Sequence, residues 1–381
     1  MINPQLTESE RAYVDACRDF AGGYLRDHFK RYDEANVFAE DIHEEAFRRG
    51  ILNAAIPKEW GGQGMRHLAL AEAGMVMARV CAPTTFSMGF NHGTMRPLLM
   101  YGTDQQKRDY VQRYVAERRY ISWCMTEPDI SGSNLFDIKT QATRTGNGWL
   151  LEGSKCMIGN GTRADLYLVL ARTIEDGEFT GLSIFIMPRQ DGVRVSENNR
   201  KLGFHSLPTP TVSFQTEIPV DAVLGGVGFG VDVLMDSLDF MRFGGGIILV
   251  GLCQGALNDI REFTTTRQVY GGPLSEKSHI QINVGCYLAE ALNVELLLKQ
   301  VARILDDGGR CPKETAALKL LGSTLAQKIT NESVQIAGWR GIDDDYPMQK
   351  RYRDARQATI YEGTNEVLAI NLFNQFLESE R

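Results

Sequence analysis

Ile121-Ser122-Trp123-Cys124-Met125 opens the change of period that decides the architecture. It is followed by DIKTQATRT (137–145), WLLEG (149–153), DLYLVLAR (165–172), GLSIFIM (181–187), GVRVS (192–196) and TVSFQ (211–215). These runs are short, rich in β-branched residues, and separated by Gly, Pro, Asn or Asp, which is how strands joined by turns read. They predict an antiparallel β domain over residues 121–225.

On both sides the helical period holds. Thr7 and Glu10 have capping-box spacing ahead of an amphipathic stretch, and Asp41 to Arg49 reads as a helix stopped by Gly50. PKEWGGQG (57–64) is a loop, followed by helices near 66–82, 84–101 and 104–118. After Gly225 the spacing of Ile280, Val284, Leu288, Ala291, Val294, Leu298, Val301 and Leu305 by three or four marks one long helix. Gly308-Gly309 ends it and Pro312 opens the next. The expected fold is therefore α+β: an N-terminal helical domain (1–120), the β domain (121–225) and a C-terminal helical domain (226–381) containing a four-helix bundle.

The 381 residues, 43% hydrophobic and 23% charged, are those of a globular chain. A net charge of -7 without any sustained Lys/Arg run argues against a nucleic-acid surface. No apolar stretch approaches the roughly 20 residues that span a bilayer, and the start lacks a basic segment followed by an apolar one. A cytoplasmic protein with no membrane partner is expected. The seven cysteines never form Cys-x-x-Cys and the six histidines show no ligand spacing, so reduced thiols and no metal are expected. No G-x-G-x-x-G lies between a strand and a helix, and no Walker motif occurs, so a nucleotide cofactor must bind in another way.

Five segments in order carry a family resemblance: PKEWGGQG (57–64); Met125-Thr126-Glu127-Pro128-Asp129-Ile130-Ser131-Gly132-Ser133; Lys201-Leu202-Gly203 with Thr209, Phe214, Pro219 and Leu224-Gly225; Arg267-Gln268-Val269-Tyr270-Gly271; and Tyr352-Arg353-Asp354-Ala355-Arg356 running into Ile360-Tyr361-Glu362-Gly363-Thr364-Asn365-Glu366. Together they resemble the acyl-CoA dehydrogenases. The resemblance implies FAD between the β domain and the C-terminal bundle, a homotetramer built as a dimer of dimers, and an electron-transfer flavoprotein as electron partner. It implies as substrate an acyl thioester, carried by CoA or by an acyl-carrier protein. Glu362 is then the base that removes the α-proton while the flavin takes the β-hydride. The flavin ribityl hydroxyl and the Glu362 backbone N–H hold the thioester carbonyl, and Gly363 permits close approach.

The other base position used in the family, immediately before the arginine of a Leu-Asp-x-Glu-Arg run, holds Met241 in Leu238-Asp239-Phe240-Met241-Arg242. Asp239, Arg242, Tyr361 and Gly363 are implied to line the substrate channel, although Asp239 and Arg242 also have the spacing of a structural ion pair. Met125, Thr126, Met157, Gly159, Thr364 and Glu366 are implied as cofactor contacts, Ser133 as a contact to flavin phosphate or pantetheine. Read from the residues alone, Thr126 is a strand-end threonine and Glu366 a surface or capping charge. Arg267, Tyr270, Gln335 and Gly338 are implied to face the cofactor across a subunit boundary, and Gln335 also suits a buried bundle amide.

Five departures stand out. In Lys155-Cys156-Met157-Ile158-Gly159-Asn160-Gly161 the family usually has an aromatic at Met157 and a hydroxyl residue at Gly159, so a less tightly held flavin is expected. Lys277-Ser278 replace an aromatic or His followed by Gln, His205 stands where Arg is common, and Trp339 replaces a Gly. Gly244-Gly245-Gly246 inside a helix costs about 1 kcal/mol per Gly relative to Ala, which suggests space near the acyl group. These departures point to a specialised thioester, a carrier-bound or modified acyl group, or to enoyl reduction. A flavin oxygenase or a flavin-free homologue without activity are the competing readings.

Overall fold

The computed structural model describes residues 6–378. Helices α1 (Glu8–Phe20) and α2 (Arg26–Ala35) run on through a π turn, and α3 (Glu40–Arg48) follows. Thr7 and Glu10 form the expected capping box. The PKEWGGQG segment contains a single 3₁₀ turn, Lys58–Trp60, whose exit Gly61 is left-handed. Next come α4 (His67–Ala78), α5 (Ala82–Tyr101), and the pair α6 (Asp104–Gln106) and α7 (Arg113–Ala116), joined by a π stretch.

The β region comprises β1 (Ile121–Cys124), β2 (Gln141–Arg144), β3 (Gly148–Lys155), β4 (Leu166–Glu175), β5 (Glu178–Pro188), β6 (Val193–Val195), β7 (Val212–Pro219) and β8 (Val223–Leu224). The strand order is β6-β7-β3-β2-β4-β5-β8, with β1 also beside β4. The sheet is mixed, which corrects the antiparallel expectation. β1 and β2 both run parallel to β4, Ile121 opposite Leu166 and Gln141 opposite Arg172. Parallel neighbours need long connections, and the loop segments 125–140 and 156–165 supply them. Strand composition encodes pleat and burial, not the direction of the neighbour.

The C-terminal region holds three long helices, α8 (Gly230–Thr266), α9 (Ser278–Asp306) and α10 (Pro312–Ala337), with the shorter α11 (Pro347–Gln357) and α12 (Asn365–Glu378) packed on α10. A two-residue hairpin, β9 (Gln268–Val269) and β10 (Gly272–Pro273), joins α8 to α9. α8 is also packed on α4 and α5, so it is the post around which both helical regions close. Its most apolar 18-residue window has mean hydropathy 1.5, long and apolar enough to cross a membrane, which corrects the expectation that no stretch approaches that length. That window is 78% buried, so the hydropathy is that of a core helix.

Candidate active site

Glu362 lies in the turn between α11 and α12 with φ +56°, followed by Gly363 at φ +93°. A left-handed non-glycine residue costs on the order of 1–3 kcal/mol and persists only where its surroundings over-determine it. Here they do. Lys319, fully buried on α10, donates to the Gly363 carbonyl (2.6 Å) and to Asn365 Oδ1 (3.1 Å). Arg242 Nε donates to the Glu362 carbonyl (3.3 Å), and the Asn365 N–H closes the turn onto the Thr359 carbonyl (3.1 Å). Thr364 accepts from the Val367 N–H (3.4 Å) and so starts α12. Among the described residues the Glu362 N–H donates to nothing, and Glu362 Oε2 and the Tyr361 hydroxyl, both buried, have no partner.

The carboxylate borders a cavity of about 100 Å³, lined by residues of α4, α5 and α8, including Leu70, Phe86, Phe90, Met241, Phe243 and Ile247. The three-glycine run lies beside it. A Cβ on Gly245 would sit 2.6 Å from Glu362 Oε2, and one on Gly246 would sit 2.4 Å from Leu318 Cδ2, whereas Gly244 faces open space and lines the cavity. The run thus makes room for the Glu362 carboxylate, the bundle contact and the cavity in turn.

Burial pushes the Glu362 carboxyl up to about 8, against the opposing pull of Lys319 and Arg242. Burial likewise lowers Lys319 to about 8, with Glu362 opposing. Two groups this close in pKa titrate as a pair. Asp239 lies 3.7 Å from Arg242, so the ion pair read from the spacing is present, and Asp239 is absent from the cavity lining. Arg242 therefore acts on the backbone of Glu362. Lys319 was missed by sequence reasoning: a lysine on a helix reads as solvated, and only the fold puts it under Gly363.

On the β side, two loops are tied together beyond the ends of β1 and β3. The Cys156 N–H donates to the Thr126 carbonyl (2.8 Å), and Lys155 Nζ reaches the Met125 carbonyl and Glu127, both at 3.0 Å. Burial would raise the Glu127 carboxyl, but the Lys139 and Thr140 N–H groups and Lys155 outweigh it and hold it at about 2. Met157, at φ +57°, leaves half of its side chain exposed (50%). Gly159 faces the Phe90 ring: a Cβ there would lie 2.5 Å from Phe90 Cζ, so an aromatic ring occupies the place of the expected side chain.

Models of the acyl-CoA dehydrogenase N-terminal, middle and C-terminal domains match residues 7–118, 122–216 and 228–377. The human short-chain specific acyl-CoA dehydrogenase, mitochondrial, is 30% identical over 380 residues, 99% of this chain and 92% of that protein. The chain belongs to the acyl-CoA dehydrogenase family. Butyryl-CoA dehydrogenase from Megasphaera elsdenii superposes with a TM-score of 0.93 at 26% identity, over 99% of this chain and 100% of that one. A chain solved in work on the electron transferring flavoprotein of Acidaminococcus fermentans does so with 0.93 at 27% identity, over 99% and 100%.

An acyl-CoA dehydrogenase is an oxidoreductase that uses FAD. The residues present fit that group. Thr126 has a hydroxyl without a partner among the described residues, and Gly132 packs so tightly on it that a Cβ would come within 2.8 Å of Oγ1. Met125 precedes it in the same loop, and Met157 and Gly159 lie in the neighbouring loop tied to it through Cys156 and Lys155. Ser133 is exposed in the same loop, its N–H on Ser131 Oγ (3.3 Å). Thr364 and Glu366 belong to the start of α12; Thr364 caps it, and Glu366 is an exposed first-turn acid.

The remaining expected contacts lie elsewhere. Arg267 caps the end of α8, about 37 Å along that helix from Arg242 at ~1.5 Å rise per residue. Gln335 is about 24 Å along α10 from Lys319 by the same rise. Gln335 is exposed, which removes the buried-amide reading. Tyr270 is 99% exposed at the tip of the β9–β10 hairpin, and Trp339, after the left-handed Gly338, is 63% exposed. A single chain does not bring these four segments to Glu362. His205 is structural: its ring lies between the Asp33 and Lys201 carbonyls, 2.9 Å from each.

Proposed function

We propose that this enzyme oxidises the Cα–Cβ bond of a short acyl thioester, with Glu362 removing the α-proton. The observation that carries this reading is the unpartnered Glu362 carboxylate at the edge of an apolar cavity, in a turn that presents it at an energetic cost. A carboxyl raised to about 8 is a far stronger base than an exposed glutamate, as abstraction beside a thioester requires. The free Glu362 N–H supplies a donor for the thioester oxygen as negative charge grows on it, and Arg242 and Lys319 hold the backbone that carries both groups. The cavity's apolar lining keeps water from the carboxylate. FAD, when bound, supplies the acceptor for the hydride that leaves Cβ. Thr126, Met125, Met157 and Gly159 would hold its ring end.

The cavity of about 100 Å³ is smaller than the ~150 Å³ that admits benzene, which favours a short acyl chain. CoA is the carrier we favour over an acyl-carrier protein, on the strength of the relatives named above. We further infer a homotetramer. α9 exposes Ile282, Leu288, Leu292 and Leu296, and α12 exposes Ile370 and Phe373, apolar faces that need covering. Arg267, Tyr270, Gln335 and Gly338 would then reach a neighbour's FAD. An electron-transfer flavoprotein as acceptor and a cytoplasmic setting complete the reading. Anaerobic addition of butyryl-CoA to the yellow protein tests it: the flavin absorbance bleaches without O2, and absence of bleaching with any short acyl-CoA refutes it.

A further inference from the structure

Among the polar side chains that line the cavity, most are spoken for. Tyr13 donates to the Ile51 carbonyl (3.2 Å), Thr85 to the Cys81 carbonyl (2.8 Å) and Thr94 to the Phe90 carbonyl (3.2 Å). Two are not: Glu362, assigned to the α-proton, and His92 on α5, neither of whose ring nitrogens has a hydrogen-bond partner among the described residues. A buried polar nitrogen left unsatisfied is costly, and in an apolar chamber built for an acyl chain the partner it lacks is one the substrate brings.

The surroundings narrow the chemistry. Burial, with His67 adding to it, lowers His92 to about 4, so the ring is neutral at pH 7 and offers one N–H donor and one acceptor nitrogen. His67 is itself held by Asp306 (2.8 Å) and is not free to turn towards it. Arg96, one turn beyond His92, is not among the residues that line the cavity; it stacks over the Phe240 ring at 4.7 Å, with the Asp236 and Asp239 charges acting on it. A neutral ring in an apolar chamber suits a neutral oxygen and not a carboxylate.

We propose that His92 hydrogen-bonds a hydroxyl or oxo group on the acyl chain, making the preferred substrate a short hydroxyacyl or oxoacyl thioester. This rests on the function proposed above and adds its substrate class. A plain alkanoyl chain would leave the His92 ring without a hydrogen-bond partner at every turnover. A site built around such a hydrogen bond discriminates strongly against the analogue that lacks it.

The test uses isosteric pairs on the purified holoenzyme. 4-Hydroxybutyryl-CoA and valeryl-CoA differ only by OH in place of CH3, and 4-oxovaleryl-CoA and 4-methylvaleryl-CoA by a ketone oxygen in place of CH3 and H at C4; glutaryl-CoA supplies a charged end. The expected result is a kcat/KM for flavin reduction at least about 10-fold higher for one oxygenated member over its hydrocarbon partner. His92→Leu should reverse that preference while still reducing flavin with valeryl-CoA, and His92→Gln should restore part of it. The pair that shows the preference tells hydroxyl from oxo. Equal or better turnover of both hydrocarbon chains by the unmodified enzyme, a leading rate with glutaryl-CoA, or an unchanged ratio in His92→Leu would overturn the proposal while leaving the dehydrogenase reading in place. Failure of all five thioesters to reduce the flavin would instead remove the reading on which it rests.

Discussion

Replacing Gly245 with alanine separates the placing of the base from its chemistry. In the middle of α8 the change favours the helix by about 1 kcal/mol, so helix propensity alone predicts a protein at least as stable. The new Cβ would lie 2.6 Å from Glu362 Oε2 and 3.5 Å from Tyr361 Cε2, where ordinary contact begins at 3.4 Å. The carboxylate, the free end of a flexible side chain, must therefore retreat by about 0.8 Å, and displacements near 1 Å cost up to ~10²-fold in rate. The expected variant keeps its Tm and its yellow colour but reduces flavin 10- to 100-fold more slowly, read by anaerobic stopped-flow absorbance with butyryl-CoA. An unchanged reduction rate would mean that the carboxylate does not rest against Gly245. A collapse in Tm would mean that the glycine serves packing and not the base.

Lys319→Met removes the cation that favours ionised Glu362, so the rise of reduction rate with pH should move to higher pH, and the Gly363 carbonyl left without its donor should cost about 1–3 kcal/mol of stability. An unshifted profile would uncouple the two groups. Arg267→Ala should weaken FAD retention by on the order of 1.5–3 kcal/mol while the assembly persists; unchanged flavin content after dialysis would count against its role at the boundary. Met157→Trp should tighten flavin binding, but Gly159→Thr should weaken it, because the added side chain meets the Phe90 ring at 2.5 Å. Titration of the two apoproteins with FAD decides both.

The α, β, α order was legible because each region keeps one hydrophobic period over many residues, as from Ile280 to Leu305 in α9. The parallel pairing of β1 and β2 with β4 was not, since it depends on how the 125–140 and 156–165 loops cross and not on what the strands contain. Glu362 stands out in the sequence through a motif that keeps its neighbours in place, and the structure puts its carboxylate at the cavity edge. The partners that tune it were not: Lys319 lies 43 positions earlier and meets it only through the packing of α10. His92 shows why cavity residues escape sequence reading, since a histidine on an apolar helix face usually has a partner and only the fold shows that this one lacks it. The missing side chain at Gly159 read as a loss, and the structure shows Phe90 in its place.

The central claim is that Glu362 is the base, and the rate of flavin reduction by substrate in Glu362→Gln, beside Glu366→Gln, tests it most directly. Glutamine keeps the volume and removes the basicity. The account predicts a folded yellow protein whose reduction falls by at least about 10²–10⁴-fold, while Glu366→Gln, exposed at the start of α12, reduces flavin at the unmodified rate. Because the folded carboxyl is raised from 4.5 to about 8, its stabilising protonated form is fully present below pH 4.5 and lost as pH rises through 8, so Glu362→Gln should also melt higher than the unmodified enzyme at alkaline pH. Rapid reduction in Glu362→Gln together with its loss in Glu366→Gln would contradict the assignment.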